Sequence, residues 1–331
     1  MFTTVVNFDP NQRELKLKGR SETDSAKVLG PNITMPAAHF GRTHRRCYNG
    51  RSGPELAIFF LLLAPATSRG AELKPETIQA WKAHVCAAKV RMEERTNGRV
   101  PFLWVDEDRD LTQRLRVGEI LLKPVDGESP RPVPGGLIHD WIGAVFVAKA
   151  KLDDVVGVLS DYDHYKDFYR PMVAKARLLE QAPDQQRVTL LMVQKASSVT
   201  GAVETDNDIQ IARLGADRAY SMSTSVRVQE IADYGKSSQH ALPQDHGPGY
   251  VWRTFYVTRL EQRDGGVYIE MEMIGMSRGI PVLLRWLIQP LAECLPRNAL
   301  LATLQDTRDA VILRIKAASS KSQSLAQAAH R

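Results

Sequence analysis

Downstream of Gly136 the chain alternates apolar and polar residues in runs separated by turn formers, the two-residue period of strands with one face buried. This pattern predicts strands over Gly136–Lys149, Val173–Leu179, Arg187–Lys195, Val203–Ala212, Arg218–Ile231, Tyr250–Glu261 and Val267–Met276. Leu152–Ser160 and Tyr162–Tyr169 read as two short helices between the first strand and the second. After Pro281 the period changes to 3.6. Leu284, Leu287/Ile288, Leu291, Leu295, Leu301, Leu304, Val311 and Ile315 form one stripe up to Lys316. Pro290 and Pro296 should divide this stretch into a short helix and a long one. Ile78, Trp81, Val85 and Ala88 predict an earlier helix from Pro75 to about Arg95, stopped by Asn97-Gly98.

One hairpin can be read residue by residue. Arg263-Asp264-Gly265-Gly266 carries a type I′ turn signal, because Asp-Gly accepts positive φ at both central positions. With Asp264-Gly265 as the turn, Leu260 faces Ile269, Thr258 faces Met271, and Tyr256 faces Met273, with Trp252 further along the same face. This face is large and apolar and should meet the C-terminal helix. The opposite face pairs Arg259 with Glu270, which reads as an exposed charged pair.

A meander of this length needs a cover for its apolar face, and the terminal helix is the element long enough to supply one. The expected fold is therefore α+β, a helix-grip in which a curved antiparallel sheet wraps a long C-terminal helix. That order, together with Asp161-Tyr-Asp-His-Tyr-Lys-Asp-Phe-Tyr-Arg-Pro-Met-Val173, resembles the START/SRPBCC superfamily. Its D-Y-x-x-Y-x-x-F-x-P-x-V segment is similar to that of the coenzyme Q-binding and cyclase-like branch. The resemblance covers Gly136 to Lys316 and leaves Glu72–Pro134 unmatched. It implies a cavity between sheet and helix for lipids, isoprenoids, sterols or polyketides. It also implies a gating loop at the Asp233–Pro248 insertion, for which a tolerated surface insertion is the other reading.

Charge changes the picture of the first part of the chain. Residues 1–71 carry a net +5 and the remainder only +1, so the pI of 9.2 belongs to the front segment and does not point to nucleic acid. Arg42, His44, Arg45, Arg46 and Arg51 precede the apolar run Leu56–Ala64, and small residues follow at Ala66-Thr67-Ser68 and Ser68-Arg69-Gly70. This is the signal-peptide order, with a run too short to span a bilayer, although the region before it is abnormally long. A start codon downstream of Met1 would explain that length. Four segments are expected: residues 1–71 as a disordered leader, 72–135 as a helical extension with a Pro/Gly linker, 136–316 as the helix-grip domain, and 317–331 as a flexible tail. The protein should be exported, periplasmic or extracellular. Loss of Cys47 with the leader would leave Cys86 and Cys294 able to pair, with a buried free thiol at Cys294 as the other reading.

Candidate chemistry is sparse. Glu204, Asp206 and Asp208 alternate on one strand and could be a metal or acid/base cluster, but Val203, Thr205, Asn207, Ile209 and Ile211 opposite them favour a solvated outer face. Zinc spacings, nucleotide-binding glycine motifs and a nucleophile elbow are all missing from the sequence, so no catalytic residue, metal or cofactor is assigned. The expected cavity lining is Trp252, Tyr256, Leu260, Ile269, Met271, Met273, Leu291, Leu301 and Leu304, with polar contacts from His139, His164 or Tyr165. The leading function is carriage of a hydrophobic small molecule, with possible transient membrane contact. The alternatives are a cyclase/aromatase-type enzyme, in which a His or carboxylate acts on a bound polyketide, and a protein-interaction module.

Overall fold

The computed structural model describes residues 73–196, 199–280 and 285–329, and the side chains of all of these except 195, 196, 199, 285–291 and 321–329. The predicted leader, Leu284 and the side chain of Leu291 lie outside the described residues. In chain order the elements are α1 (Pro75–Thr96), a 3-10 turn (Trp104–Glu107), α2 (Arg109–Arg116), β1 (Leu121–Pro124), β2 (Arg131–Val133), β3 (Gly136–Ala148), α3 (Leu152–Leu159), a second 3-10 turn (Tyr162–His164) and α4 (Tyr165–Phe168). They continue with β4 (Val173–Ala182), β5 (Gln185–Ala196), β6 (Val199–Arg213), β7 (Arg218–Ala232), β8 (His240–Ala241), β9 (Arg253–Arg263), β10 (Gly266–Arg278) and α5 (Arg285–Ala329).

All strands join one antiparallel sheet in the order β1-β3-β10-β9-β7-β6-β5-β4, with β2 added to β3 and β8 to β7. The first long strand thus pairs with the last, and the sheet curves around α5. The β9–β10 hairpin has the expected register, with Leu260 opposite Ile269, Thr258 opposite Met271 and Tyr256 opposite Met273. Its turn holds Asp264 at φ 55° and Gly265 at φ 74°, the positive values a type I′ turn needs.

Helix α5 packs mainly on β3. Leu300, Leu304, Ala310 and Val311 are buried with Val145, Val147, Leu260, Ile269 and Met271 in an inner core. Gly143 allows this approach, since a Cβ there would lie 2.7 Å from Leu304 Cδ1 and 3.0 Å from the Leu121 carbonyl oxygen. The helix departs from expectation in three ways. It is a single helix through Pro290 and Pro296: proline's fixed φ is itself helical, and the helix continues although each ring removes a donor and crowds the carbonyl four residues back. It continues past Lys316 to Ala329. Leu300 is buried while Leu295 is 36% exposed, so the inward face is rotated from the predicted stripe.

The larger correction concerns the other face of the sheet. It is not left to solvent, and α5 is not the sheet's only partner. Trp81, Val85, Ala88 and Met92 of α1, with Phe102, Leu103, Trp104, Val105 and Leu115, bury a second core against Ile138, Ile142, Phe146, Phe255, Val257, Tyr268, Ile274 and Met276. β1 and β2 extend the same sheet, β2 inside the stretch read as a linker. Arg259 and Glu270, expected to be exposed, are 1% and 0% accessible beneath this layer.

Candidate functional site

The inner face of the sheet can be followed in rows across the strands, because register places side chains of successive strands side by side. Nearest the β9–β10 turn lie Val145, Ile269, Leu260 and Ala219, all buried and apolar. The next row is Gly143, Met271, Thr258, Ser221 and Ile211, and the third is Trp141, Met273, Tyr256, Ser223 and Ile209. Beyond it stand His139, Gly275 and Thr254. Polarity therefore rises from the turn end toward Gly275. Trp141, Met273, Tyr256, Thr258, Ser221 and Ser223 remain partly exposed, unlike the sealed first row.

Of the predicted lining, Leu260, Ile269 and Met271 are buried in the inner core, with Met273 packed against its edge. Tyr256 is on the same face by register. Leu304 is fully buried against Gly143 and Leu301 is partly buried. Trp252 is a correction: it belongs to the outer core beside Phe255 and Met276. It precedes the first ladder residue, Arg253, so strand alternation does not fix its direction, and its indole packs instead against Gly249.

The polar candidates separate. His139 is buried on β3, with Nε2 2.9 Å from Ser277 Oγ. Burial pushes its imidazole down to about 4, against the opposing influence of the Ala292 backbone, so the ring is neutral at ordinary pH. His164 does not reach the inner face. Its side chain is 61% exposed and lies 2.6 Å from Asp161, which raises its pKa above the ordinary value. Tyr165 donates to the Leu159 carbonyl at 2.6 Å, and the Tyr169 hydroxyl lies 3.1 Å from Thr307 of α5. The tyrosine cluster is thus a clamp between α4 and α5, and burial raises these phenols, Tyr169 to about 12.

Glu204 and Asp206 both bind Arg227, and Asp208 binds Arg187, on the outer face. Ion pairing explains the acidic stripe, and Asp206 is held below the usual carboxylate range by Arg227. A pocket of about 160 Å³ lies on this outer face, lined by Lys175, Arg177, Thr189, Glu204, Asp206 and Arg227, away from the inner rows. Cys86 is a free, exposed thiol and is not paired with Cys294.

The Asp233–Pro248 insertion is tied down at several points. Strand β8 extends β7, Asp245 pairs with Arg253 at 2.5 Å, and the Glu230 carboxylate accepts the backbone N–H groups of Gly249, Tyr250 and Val251 at 3.1, 2.5 and 3.3 Å. Burial still raises the Glu230 pKa, the three N–H groups opposing it.

Sequence reasoning missed Trp141, Thr254 and Gly275 as members of the inner face. The signal was present: continuing the hairpin register two residues beyond Tyr256 and Met273 pairs Thr254 with Gly275. It also missed the polar bridge beneath α1. His84 Nε2 lies 2.8 Å from Asp140 Oδ2, and Arg91 donates to Glu272 (2.7 Å) and Asp140 (3.4 Å). Arg259 donates to Glu270 (2.7 Å) and Glu272 (3.4 Å), and the Trp104 N–H donates to Glu270 (2.7 Å). Burial raises Glu270 and Asp140 above the usual carboxylate range, opposed by Arg259 and His84 respectively.

No protein-family model and no curated protein matches the chain. Among solved structures it is similar to a STAR-related lipid transfer protein fragment from Xanthomonas axonopodis, with 20% identity over 59% of this chain and 98% of that one, at a TM-score of 0.38. It is also similar to the Zhui aromatase/cyclase from a Streptomyces species, with 16% identity over 55% of this chain and 98% of that one, at a TM-score of 0.39. Human STARD10 shows 11% identity over 66% of this chain and 84% of that one, at a TM-score of 0.37. The strand order and the helix laid across the inner face make this chain an α+β helix-grip domain.

Proposed function

We propose that the inner face of the sheet, beneath α5, holds a hydrophobic small molecule, and that the protein carries this molecule rather than transforming it. One observation carries the reading. Large apolar side chains on the inner rows, Trp141 and Met273 among them, are only partly covered by described residues on the concave side of the sheet. Partly exposed large apolar groups on a concave wall favour a nonpolar guest over water. Carriage is preferred because His139, the one buried inner-face histidine among the described residues, has been pushed to about 4 and is a weak proton acceptor at neutral pH. The test is native mass spectrometry with solvent extraction of protein purified from its own host. A bound nonpolar molecule is expected. Protein that yields none and does not bind Nile red would refute the reading.

We further infer that this carriage takes place outside the cytoplasm. Support comes from the succession of Arg42–Arg51, the apolar run Leu56–Ala64 and the small residues up to Gly70. The exported protein should begin near Arg69 or Glu72. N-terminal sequencing that finds Met1 retained in the native host would overturn this.

A further inference from the structure

Gly275 interrupts an inner wall that is otherwise filled. Met271 and Met273 precede it on the same face of β10, and its neighbours across the sheet are His139 on β3 and Thr254 on β9. No described atom lies within 4 Å of the position a Cβ would take at Gly275. The result is a notch one side chain deep at the polar end of the inner face.

A polar atom beside this notch lacks a partner: the Trp141 Nε1–H is buried without an acceptor. Thr254 is 5% exposed, and the group its hydroxyl meets is the Tyr256 phenol. Tyr256 lies on the same face as Thr254, two residues along. Burial raises its phenol above the ordinary value, and the neighbouring Thr254 side chain opposes that rise. Buried polar atoms in folded proteins are nearly always bonded, so an unpaired indole N–H beside this gap marks a place where something else completes it.

The chemistry of these atoms restricts the guest. An indole N–H only donates, so the guest atom opposite Trp141 must accept; a threonine hydroxyl can donate as well or accept. By register two charged side chains of the described strands share this face, and both are already partnered: Arg213 at the turn end by Asp153, and Glu230, opposite Val203, by the backbone N–H groups of Gly249, Tyr250 and Val251. Asp140, Glu270, Glu272 and Arg259 all belong to the opposite face. A carboxylate or phosphate placed in the notch would be desolvated without a counter-charge. We propose that the Gly275 notch anchors an uncharged oxygen function, a ketone-type carbonyl, at one end of an otherwise apolar ligand. Trp141 Nε1–H is the donor, and the Thr254 hydroxyl, shared with the Tyr256 phenol, lies beside it. This deepens the ligand-binding reading and rests on it.

The experiment is equilibrium dialysis of the full chain against 2-acetylnaphthalene and 2-ethylnaphthalene, which have nearly the same shape and differ in one carbonyl oxygen. The ketone should bind about tenfold more tightly to the unaltered protein, the size expected when one buried hydrogen bond is made rather than missed. Trp141→Phe and Thr254→Val should each shrink this preference toward parity while the hydrocarbon's affinity stays within about twofold. Gly275→Ala, whose methyl enters open space, should reduce ketone binding selectively and leave the melting temperature unchanged. Equal affinities in the unaltered protein, or a preference that survives all three substitutions, would overturn the notch while leaving hydrophobic-ligand binding intact. Failure of both naphthalenes and of Nile red to bind would remove the underlying reading as well.

Discussion

Glu270 and Met271 are adjacent on β10 and face opposite cores. Met271 lies in the apolar inner core, so Met271→Asp puts an unpaired carboxylate where it costs several kcal/mol, on the order of 2–7. Glu270 lies under α1, where it compensates the Arg259 guanidinium and accepts from Trp104. Glu270→Gln should therefore also be severe, about 3 kcal/mol, because it leaves the buried Arg259 guanidinium only the longer contact with Glu272. Urea unfolding of the two variants should show similar midpoint losses; a Glu270→Gln midpoint equal to that of the parent protein would mean the pair is solvated. His139 adds a pH dependence at the same scale. Its folded pKa is depressed from 6.5 to about 4, so in that interval the unfolded chain binds a proton that the folded chain does not. Stability should fall as pH drops through that interval, by about 3 kcal/mol in total, and His139→Gln should flatten the slope. Equal slopes in the two proteins would show that the ring is accessible in the folded state.

At the scale of elements, the contact between α5 and β3 depends on one missing side chain. Leu304→Ala alone should cost about 2–5 kcal/mol. Gly143→Ala alone should cost about 1–3, because its methyl meets both Leu304 and the β1 backbone. The double variant should cost less than the sum by at least about 0.5 kcal/mol, since removing Leu304 makes room for the new methyl. Strict additivity in chemical denaturation would show that the two positions do not share that space. Most elements could be read in the sequence because each depends on local periodicity. The Asp264-Gly265 turn even determined the hairpin pairing, since a two-residue loop leaves a single register. What α1 covers could not be read in this way. Its apolar stripe was visible, but a stripe does not name its partner. An Arg259–Glu270 cross-strand pair has the same spacing whether water or another layer lies above it. Leu300 was missed because Leu301 already filled its turn of the stripe, although Leu300, four residues before Leu304, shares the inward face.

For the molecule as a whole, the extension is a layer of the domain. The outer faces of β3, β9 and β10 carry Phe255, Val257, Tyr268, Ile274 and Met276 together with five buried charged groups, Asp140, Arg259, Glu261, Glu270 and Glu272. A chain lacking residues 73–116 would present that apolar surface to solvent, with the charges deprived of His84, Arg91 and Trp104. It should aggregate and lose its cooperative thermal transition, whereas the chain from Leu73 onward should melt in one step. A soluble, cooperatively melting truncation would mean that the sheet stands alone. The candidate site is on the opposite side, so this layer supports the inner wall from behind without lining it.

The same layering has a consequence in time. The partners of α1 are far ahead of it along the chain: Arg91 and Glu272 are 181 residues apart, and Trp104 and Glu270 are 166 apart. Strand β3, too, must wait for β10. During synthesis the extension leaves the ribosome first, yet it cannot dock until nearly the whole sheet exists. Its stripe of Trp81, Val85, Ala88 and Met92 stays uncovered throughout that interval. Long-range closures of this kind slow folding and lengthen the exposure of apolar surface. The segment that finishes the domain is thus among the first made, and the growing chain depends on something else to shield it in the meantime.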